Sequence, residues 1–456
     1  MKSDLGRVAR AIGAVQGVEP VPVTGWSVDS RTLAPGDLFF ALKGPNHDGS
    51  AYVAEVLAKG AAGAVAAIPP GPRTISVADA QKALEAAASD LRSEWGGTVI
   101  AVTGSAGKTT TKETIAALLA TEIPVAKTAG NLNNHVGLPL SILRIPEEAR
   151  AAVLEIGMNH PGEIRHLAGI ARPVVGVVTN VGLAHAEFFG GSVDGVALAK
   201  RELIESLPHE GTAVLNADDP RVAAFRDVHP GRTVTFGIAS DADVRAGNVE
   251  IAGGGVRFRV DGTDFESSYQ GRHGVLNLLA GIAVAREFGI PAARLREAVR
   301  ELRPGQMRGE RRTAGGIEIL NDCYNSNPEA LRSMLDVLRA TPARRRFAVL
   351  GEMLELGRWS EDLHREAGRY AARSGIDVLI GIRGAARYMV DEAVASGLPA
   401  GAAFFFDDPA EAGAFLRGRL LPGDAVLFKG SRGTRVERAL EAFMSAPGRG
   451  ASGSPE

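Results

Sequence analysis

A glycine-rich turn between a buried strand and a helix constrains this chain more than any other feature. The turn follows the apolar run 99–102 and reads Thr103-Gly104-Ser105-Ala106-Gly107-Lys108-Thr109-Thr110, and the helical pattern 111–119 comes next. In such a turn the backbone N–H groups converge at a helix N-terminus, where the helix dipole favours an anion. Lys108 can then reach terminal phosphates, and the Thr109 hydroxyl can bind Mg²⁺. The sequence therefore predicts a shortened P-loop on a parallel α/β sheet.

Composition limits the classes of protein that this chain can belong to. Its 456 residues predict about three domains of ~150 residues each. The net charge of −2 gives no reason to expect a nucleic-acid or membrane-surface partner. Cys323, the single cysteine, excludes an internal disulfide and a cysteine-rich metal site. The start lacks the apolar segment of a signal peptide, and no apolar run reaches the ~18 residues of a membrane span, so we expect a cytoplasmic protein without membrane insertion.

The alternation of apolar and helical segments predicts three α/β domains and a tail. Residues 1–96 read as a small α/β domain with short strands and an alanine-rich helix. Residues 97–310 continue with apolar runs at 151–156, 174–178 and 213–215 between helical patterns, which indicates a parallel sheet, and 244–269 reads as a small antiparallel insertion. Residues 311–446 predict a Rossmann-like, doubly wound domain. The Gly/Ser/Pro-rich stretch 447–456 predicts a disordered tail.

Glu155 is a candidate metal ligand, and His185 and Lys200 are weaker candidates for a chemical role. Glu155 ends an apolar run, and a carboxylate at a strand end beside a phosphate loop is placed to bind Mg²⁺. His185 follows the run 174–178, and Lys200 lies in a helical pattern. Taken singly, each has an ordinary interpretation: a structural glutamate, a capping histidine and a solvated lysine.

Other polar segments are open between a binding and a structural role. The loop Asn131-Leu132-Asn133-Asn134 is rich in amides, which suit recognition of peptide groups but also form turns. A second segment, Asp322-Cys323-Tyr324-Asn325-Ser326-Asn327, follows the first apolar run of the last domain, where doubly wound folds bind ligands. Arg308 lies at a domain junction and can neutralise phosphate. The cationic segment after the last strand, Lys429-Gly430-Ser431-Arg432-Gly433, can hold an anionic group.

Taken together and in order, these segments resemble the Mur ligase family, the ATP-dependent amide-forming enzymes of peptidoglycan precursor assembly. The resemblance covers nearly the whole chain and rests on the turn 103–110, Glu155, His185, Lys200 and Gly271-Arg272-His273-Gly274-Val275-Leu276-Asn277. Segments 131–139, 322–328 and 350–357 resemble the family member that uses a dipeptide as acceptor. The family resemblance implies ATP and Mg²⁺ as cofactors, and UDP-N-acetylmuramoyl-tripeptide and D-alanyl-D-alanine as substrates of a protein expected to be a monomer.

The resemblance also implies roles for individual residues. Lys108, Lys200 and His185 would be catalytic, and Lys200 would be carbamylated. The ATP-binding set would be Thr103, Gly104, Ser105, Ala106, Gly107, Lys108, Thr109, Asn277, Arg308 and Asp322. The Mg²⁺ ligands would be Thr109, Glu155, His185 and Lys200. Substrate would contact Ser30, Arg31, Asn133, Asn134, Asn325 and Asn327, the first two at the UDP-sugar end.

Three other functions stay open on the sequence. One is a Mur-type ligase that adds a single amino acid, and another is a ligase like folylpolyglutamate synthetase. The third is a P-loop regulatory NTPase, although the last domain would then have no role.

Overall fold

The computed structural model describes residues 3–14, 18–252 and 254–445. The chain forms two compact units. The first comprises Met1–Asn180, Leu198–Val244 and Ala280–Pro291, and the second Val181–Ala197, Arg245–Leu279 and Ala292–Glu456. The division into three domains at 96 and 310 stays a prediction, and the predicted tail 447–456 lies outside the described residues.

The N-terminal part of the first unit has a small parallel sheet covered by an alanine-rich helix. Its elements are β1 (Ser3–Asp4), α1 (Leu5–Ala11), β2 (Pro22–Val23), β3 (Gly25–Ser27), β4 (Asp37–Phe40), α2 (Val53–Ala58), β5 (Gly63–Ala66), β6 (Thr74–Ser76) and α3 (Ala80–Trp95). Strands β3-β4-β5-β6 are parallel, in that order. Asp79 begins α3 by accepting the N–H groups of Gln81 and Lys82. Gly96 ends this helix in the left-handed region at φ +68°.

A seven-stranded sheet carries the predicted phosphate loop. Its elements are β7 (Thr98–Thr103), α4 (Lys108–Leu119), β8 (Val125–Lys127), α5 (Gly137–Leu143), β9 (Ala151–Glu155), α6 (Glu163–Ala171), β10 (Val175–Val178), α7 (Val193–Glu205), β11 (Thr212–Asn216), α8 (Pro220–Ala223), β12 (Arg232–Gly237) and β13 (Val244–Arg245). The strand order is β13-β12-β11-β10-β7-β9-β8, and the pairs from β12 to β8 are parallel. Strands β7, β9 and β10 lie inside the sheet and are almost entirely buried, as their apolar runs predict.

The predicted antiparallel insertion is a three-stranded sheet. It consists of β14 (Gly247–Ala252), β15 (Gly255–Val260) and β16 (Thr263–Ser267), followed by α9 (Gly271–Glu287) and α10 (Ala292–Glu301). Helix α9 begins at Gly271, although Gly271 and Gly274 give its first turn a low intrinsic helix propensity.

The C-terminal part is a six-stranded sheet with helices on both faces. Its elements are β17 (Glu310–Ala314), β18 (Ile317–Asp322), α11 (Pro328–Ala340), β19 (Arg346–Gly351), α12 (Ser360–Arg373), β20 (Val378–Ile382), α13 (Ala386–Ala395), β21 (Ala403–Phe406), α14 (Pro409–Arg417), β22 (Ala425–Lys429) and α15 (Glu437–Met444). The order is β17-β18-β22-β19-β20-β21, and only β17 is antiparallel to its neighbour. Alternate residues of β19 enter two cores, with Leu350 in one and Val349 in the other. This is the doubly wound arrangement that the sequence predicts.

Within the described part of the chain, no helix combines the length and the apolar character needed to cross a bilayer.

Candidate active site

The turn after β7 has the backbone geometry of a phosphate loop. Gly104 adopts φ +152°, and a Cβ there would lie 1.9 Å from Thr179 Oγ1. Gly107 adopts φ +80° immediately before α4 begins at Lys108. Both positions therefore require glycine, one for space and the other for its left-handed backbone. Because the first N–H groups of a helix have no intrahelical acceptor, the start of α4 can receive an anion.

The end of the neighbouring strand β10 holds this loop in place. Asn180 Oδ1 accepts the Ala106 N–H at 2.8 Å, and Asn180 Nδ2 donates to the Ala106 carbonyl at 3.0 Å. The Thr179 hydroxyl donates to the same carbonyl at 2.6 Å. The Ser105 N–H donates to the backbone carbonyl of Asn180 at 3.0 Å. The loop is therefore preorganised by two residues that the sequence analysis assigned no role.

Lys108 folds back over the loop that precedes it. Its Nζ donates to the Gly104 carbonyl at 2.8 Å. The ammonium group therefore lies beside the loop backbone, as the P-loop pattern predicts for a lysine that contacts phosphates.

Glu155, the last residue of β9, lies beside the first turn of α4. Its side chain is almost completely buried, with the residue only 2% exposed. One carboxylate oxygen accepts the Thr109 hydroxyl at 2.7 Å, and the other accepts Asn133 Nδ2 at 2.7 Å. Both donors are uncharged, so these contacts leave the negative charge of the carboxylate uncompensated. A hydroxyl next to a carboxylate is the oxygen donor set that Mg²⁺ prefers, so Thr109 and Glu155 fit this ion.

Lys200 is buried in the same unit as the phosphate loop. It lies on α7 and is 1% exposed. Burial, together with the positive charge of Lys108, lowers the pKa of Lys200 well below its ordinary value. The neutral amine is therefore favoured at this position. A neutral amine is a nucleophile, which is the state that carbamylation by carbon dioxide requires.

His185 belongs to the second unit. It adopts a left-handed backbone conformation at φ +65°, immediately before a short 3₁₀ turn, Ala186–Phe189. Its Nδ1 lies 2.5 Å from Oε2 of Glu355. The imidazole lowers the pKa of the Glu355 carboxyl, although partial burial opposes the effect.

Across residues 3–14, 18–252 and 254–445, we find no group of three or more His, Cys, Asp or Glu side chains arranged to hold a metal.

The predicted nucleotide residues of the second unit lie on three elements. Asn277 is buried on α9, and the Arg308 guanidinium lies 3.6 Å from the centroid of the Tyr324 ring. Asp322, at the end of β18, accepts from Lys429 Nζ at 2.5 Å, and Lys429 also donates to the Asn325 carbonyl at 2.9 Å. Because β18 and β22 are neighbours in register, the acid and the lysine meet at one sheet edge. The segment 429–433 was predicted to bind an anionic group, and in this structure the anionic partner of Lys429 is the Asp322 carboxylate.

The predicted substrate amides mostly cap local structure. Asn134 Oδ1 accepts the N–H groups of Val136 and Gly137 at the start of α5. Asn327 caps α11 through the Ala330 N–H at 2.8 Å. The Asn325 side chain accepts the Ser326 N–H at 2.9 Å. Asn133 differs, since its amide contacts Glu155. Their roles in binding substrate stay predictions.

The predicted UDP-sugar residues lie in the loop after β3. Arg31 is exposed and contacts Asp29 through Nε at 2.9 Å and Nη2 at 2.7 Å. Arg31 lowers the pKa of Asp29 to about 2. The Ser30 carbonyl accepts from Lys59 Nζ at 3.1 Å. The contact of Ser30 and Arg31 with a nucleotide sugar stays a prediction.

Family models cover most of the chain. The Mur ligase middle domain matches residues 102–285, the Mur ligase glutamate ligase domain matches 307–432, and the catalytic domain of the Mur ligase family matches 22–136. The chain belongs to the Mur ligase family and is therefore an ATP-dependent amide ligase.

The chain is similar to several UDP-N-acetylmuramoyl-tripeptide–D-alanyl-D-alanine ligases, also called MurF. UDP-N-acetylmuramoyl-tripeptide–D-alanyl-D-alanine ligase of Bacillus subtilis (strain 168) is 32% identical over 94% of this chain and 95% of its own length. A crystal structure of MurF from Acinetobacter baumannii is similar with a TM-score of 0.89 and 28% identity, covering 97% of this chain and 99% of that one. The MurF ligase from Thermotoga maritima in complex with ADP has a TM-score of 0.83 and 32% identity, covering 92% and 96%.

Proposed function

We propose that this chain joins D-alanyl-D-alanine to the C-terminal carboxylate of UDP-N-acetylmuramoyl-tripeptide and converts ATP to ADP and phosphate. One observation carries the proposal: Thr109 and Glu155 meet beside a preorganised phosphate loop. The relative from Bacillus subtilis, whose name states this reaction, is similar over 94% of this chain, and the ADP complex from Thermotoga maritima supports the use of ATP. Action in the cytoplasm and a monomeric state remain predictions.

The chemistry requires activation of a carboxylate, which is a poor electrophile. An oxygen of the tripeptide carboxylate attacks the terminal phosphorus of ATP and displaces ADP, giving an acyl phosphate. The dipeptide amine then attacks the carbonyl carbon and loses a proton, and the tetrahedral intermediate expels inorganic phosphate. Positioning and charge neutralisation account for most catalysis of phosphoryl transfer.

The residues around the loop supply that positioning and charge. The backbone of 103–107 and the start of α4 bind the phosphates, and Lys108 neutralises charge that develops on the transferred group. Mg²⁺, held by Thr109 and Glu155, would add positive charge at the phosphates; the family resemblance adds His185 and carbamylated Lys200 as ligands. Asn277, Arg308 and Asp322 are proposed to contact adenine, phosphate and ribose.

Carbamylation would turn Lys200 from a cation into a ligand. The neutral amine attacks carbon dioxide and loses one proton, which leaves a carbamate with a carboxylate-like negative charge. Two features favour this step, namely the burial of Lys200 and its lowered pKa. The carbamate charge would also compensate the nearby positive charge of Lys108.

Release of phosphate tests the proposed acceptor. The enzyme is incubated with ATP, Mg²⁺ and nucleotide-linked tripeptide carrying either meso-diaminopimelate or lysine, and then with D-alanyl-D-alanine or with single amino acids. We expect phosphate release only with the dipeptide. A single amino acid as the better acceptor would favour another Mur-type or folylpolyglutamate synthetase-like ligase. ATP turnover that requires no amine would favour a regulatory NTPase.

A further inference from the structure

We propose that Glu355 is a positioning residue that keeps a proton on Nδ1 of His185 and so leaves the Nε2 lone pair available to a divalent cation. This inference rests on the proposed function, in which His185 is a metal ligand. Glu355 lies in the segment 350–357, one of the three that resemble the family member with a dipeptide acceptor.

The contact between the two side chains defines which ring nitrogen carries the proton. Nδ1 of His185 lies 2.5 Å from Oε2 of Glu355, although Nδ1 makes no hydrogen bond of good geometry with any described residue. An ionised carboxylate can only accept, so an imidazole lone pair facing it at this distance would be repelled. The proposed tautomer therefore has its proton on Nδ1. In the neutral ring, Nε2 is then the nitrogen with a free lone pair.

The backbone is arranged to bring these two residues together. Both adopt the left-handed conformation that residues other than glycine rarely take, with φ +65° at His185 and +63° at Glu355. Unfavourable backbone of this kind persists where the surroundings impose it, often at functional sites. The Glu187 N–H points to the Glu355 carbonyl at 3.4 Å, so the segments also approach each other through their backbones.

Two further contacts fix one segment against the other. Gly357 adopts φ +53°, and a Cβ there would lie 3.2 Å from Cα of Glu187. Trp359 Nε1 donates to the Gly191 carbonyl at 2.5 Å. The residues after Glu355 are therefore held against the residues after His185.

The segment around Glu355 is also anchored within its own sheet. The buried His364 accepts the Met353 N–H through Nε2 at 2.9 Å and donates through Nδ1 to the Ser360 carbonyl at 2.6 Å. The Leu354 N–H donates to Ser431 Oγ at 3.0 Å. Glu355 thus extends from a fixed backbone, which a residue that orients another side chain requires.

A carboxylate behind a metal-binding histidine is a recurrent arrangement in metal sites. It fixes the tautomer and the orientation of the ring, and its loss typically reduces metal affinity or activity about 10- to 100-fold. Here the orienting acid follows β19 of the C-terminal sheet, whereas the histidine follows β10. Glu355 thereby connects the C-terminal sheet to the protonation of a proposed metal ligand.

The first experiment determines the tautomer of His185 in the metal-free enzyme. Full-length protein labelled with ¹⁵N-histidine is studied by NMR, and the His185 signals are assigned by their loss in a His185→Gln variant. We expect the Nδ1–H pattern in the wild type and in Glu355→Gln, whose amide oxygen still accepts, and a shift toward Nε2–H in Glu355→Ala. Glu187→Gln is the matched control, because it neutralises a neighbouring exposed carboxylate, and it should retain the wild-type pattern.

The second experiment measures metal binding with Mn²⁺ in the presence of ADP. We expect about 10- to 100-fold weaker Mn²⁺ binding in Glu355→Ala and unchanged binding in Glu187→Gln. An unchanged His185 tautomer or unchanged Mn²⁺ affinity in Glu355→Ala would overturn the inference. Neither measurement uses turnover, so acceptor-dependent phosphate release can still succeed or fail independently.

Discussion

Two mostly parallel sheets in this chain have polar residues at the C-terminal ends of their strands. The charged side chains at these two edges have different kinds of partners. At the edge of the seven-stranded sheet, Glu155 contacts an uncharged hydroxyl and an uncharged amide, and Lys108 contacts a carbonyl. At the edge of the six-stranded sheet, Asp322 and Lys429 neutralise each other at 2.5 Å. The side-chain contacts of Glu155 at the first edge are thus with uncharged groups, whereas the acid and the lysine at the second edge form an ion pair.

This difference indicates that side chains at the first edge take part in the reaction, whereas the ion pair at the second edge fixes the positions of its own side chains. Buried charge that is not matched within the protein is unfavourable unless a ligand or a change of protonation compensates it. Lys200 illustrates the second route, since its pKa is lowered by burial and by Lys108. Substitutions at the first edge should therefore reduce catalysis, and breaking the pair at the second edge should reduce stability.

The largest effect is expected for Lys108→Ala. Removal of a preorganised charge contact should cost roughly 3 kcal/mol or more of transition-state stabilisation, because the developing phosphate charge loses its partner. Acceptor-dependent phosphate release gives kcat, with the exposed Lys82→Ala on α3 as a control. Unchanged kcat in Lys108→Ala would contradict the role of this lysine.

The next effect concerns stability and the Asp322–Lys429 pair. Asp322→Ala leaves the ammonium of Lys429 without its carboxylate, and Lys429 is only 2% exposed. We expect the free energy of unfolding to fall by about 3 kcal/mol in urea denaturation. The double variant Asp322→Ala/Lys429→Met should recover much of that loss. A loss as small as that of an exposed pair, below about 1 kcal/mol, would refute the distinction between the two edges.

The smallest effect is expected for Lys200→Arg, which preserves a cation but cannot form the carbamate. Wild-type enzyme in ¹³C-bicarbonate should give a carbamate signal in NMR, and the variant should lack it. Loss of a residue that only orients a metal ligand reduces activity about 10- to 100-fold. Loss of a metal ligand itself should reduce activity by at least as much, so kcat should fall at least about tenfold. Lys112 is a matched control, because its buried Nζ donates to the Thr128 and Gly130 carbonyls, and Lys112→Arg should retain the signal. A carbamate signal that persists in Lys200→Arg would exclude Lys200 as its source.

The fold could be predicted where the physical signal was strong. The central strands β7, β9 and β10 are apolar throughout because both faces are buried, and such runs stand out in a sequence. Strand β17 was missed because Glu310–Ala314 is polar and partly exposed at a sheet edge. The antiparallel insertion was visible because its residues alternate between polar and apolar.

The site was predictable to the extent that it follows from the topology of a parallel sheet. The proximity of Thr109 and Glu155 follows from the neighbouring strands β7 and β9, whose C-terminal ends share one edge. The contact of Lys429 with Asp322 joins positions 107 residues apart. Local sequence contains no signal for such pairs, which is also why Asn180 and Glu355 were given no role. The roles assigned by the family resemblance stay predictions.

The packing of Gly104 against Thr179 has a consequence for inhibitor design. Any side chain at position 104 would collide with the hydroxyl of Thr179, and Thr179 in turn supports the loop through the Ala106 carbonyl. An enzyme variant that resists a compound bound to this backbone would therefore need simultaneous substitutions at Gly104, after β7, and at Thr179, after β10. Resistance by a single substitution at this glycine should therefore be rare.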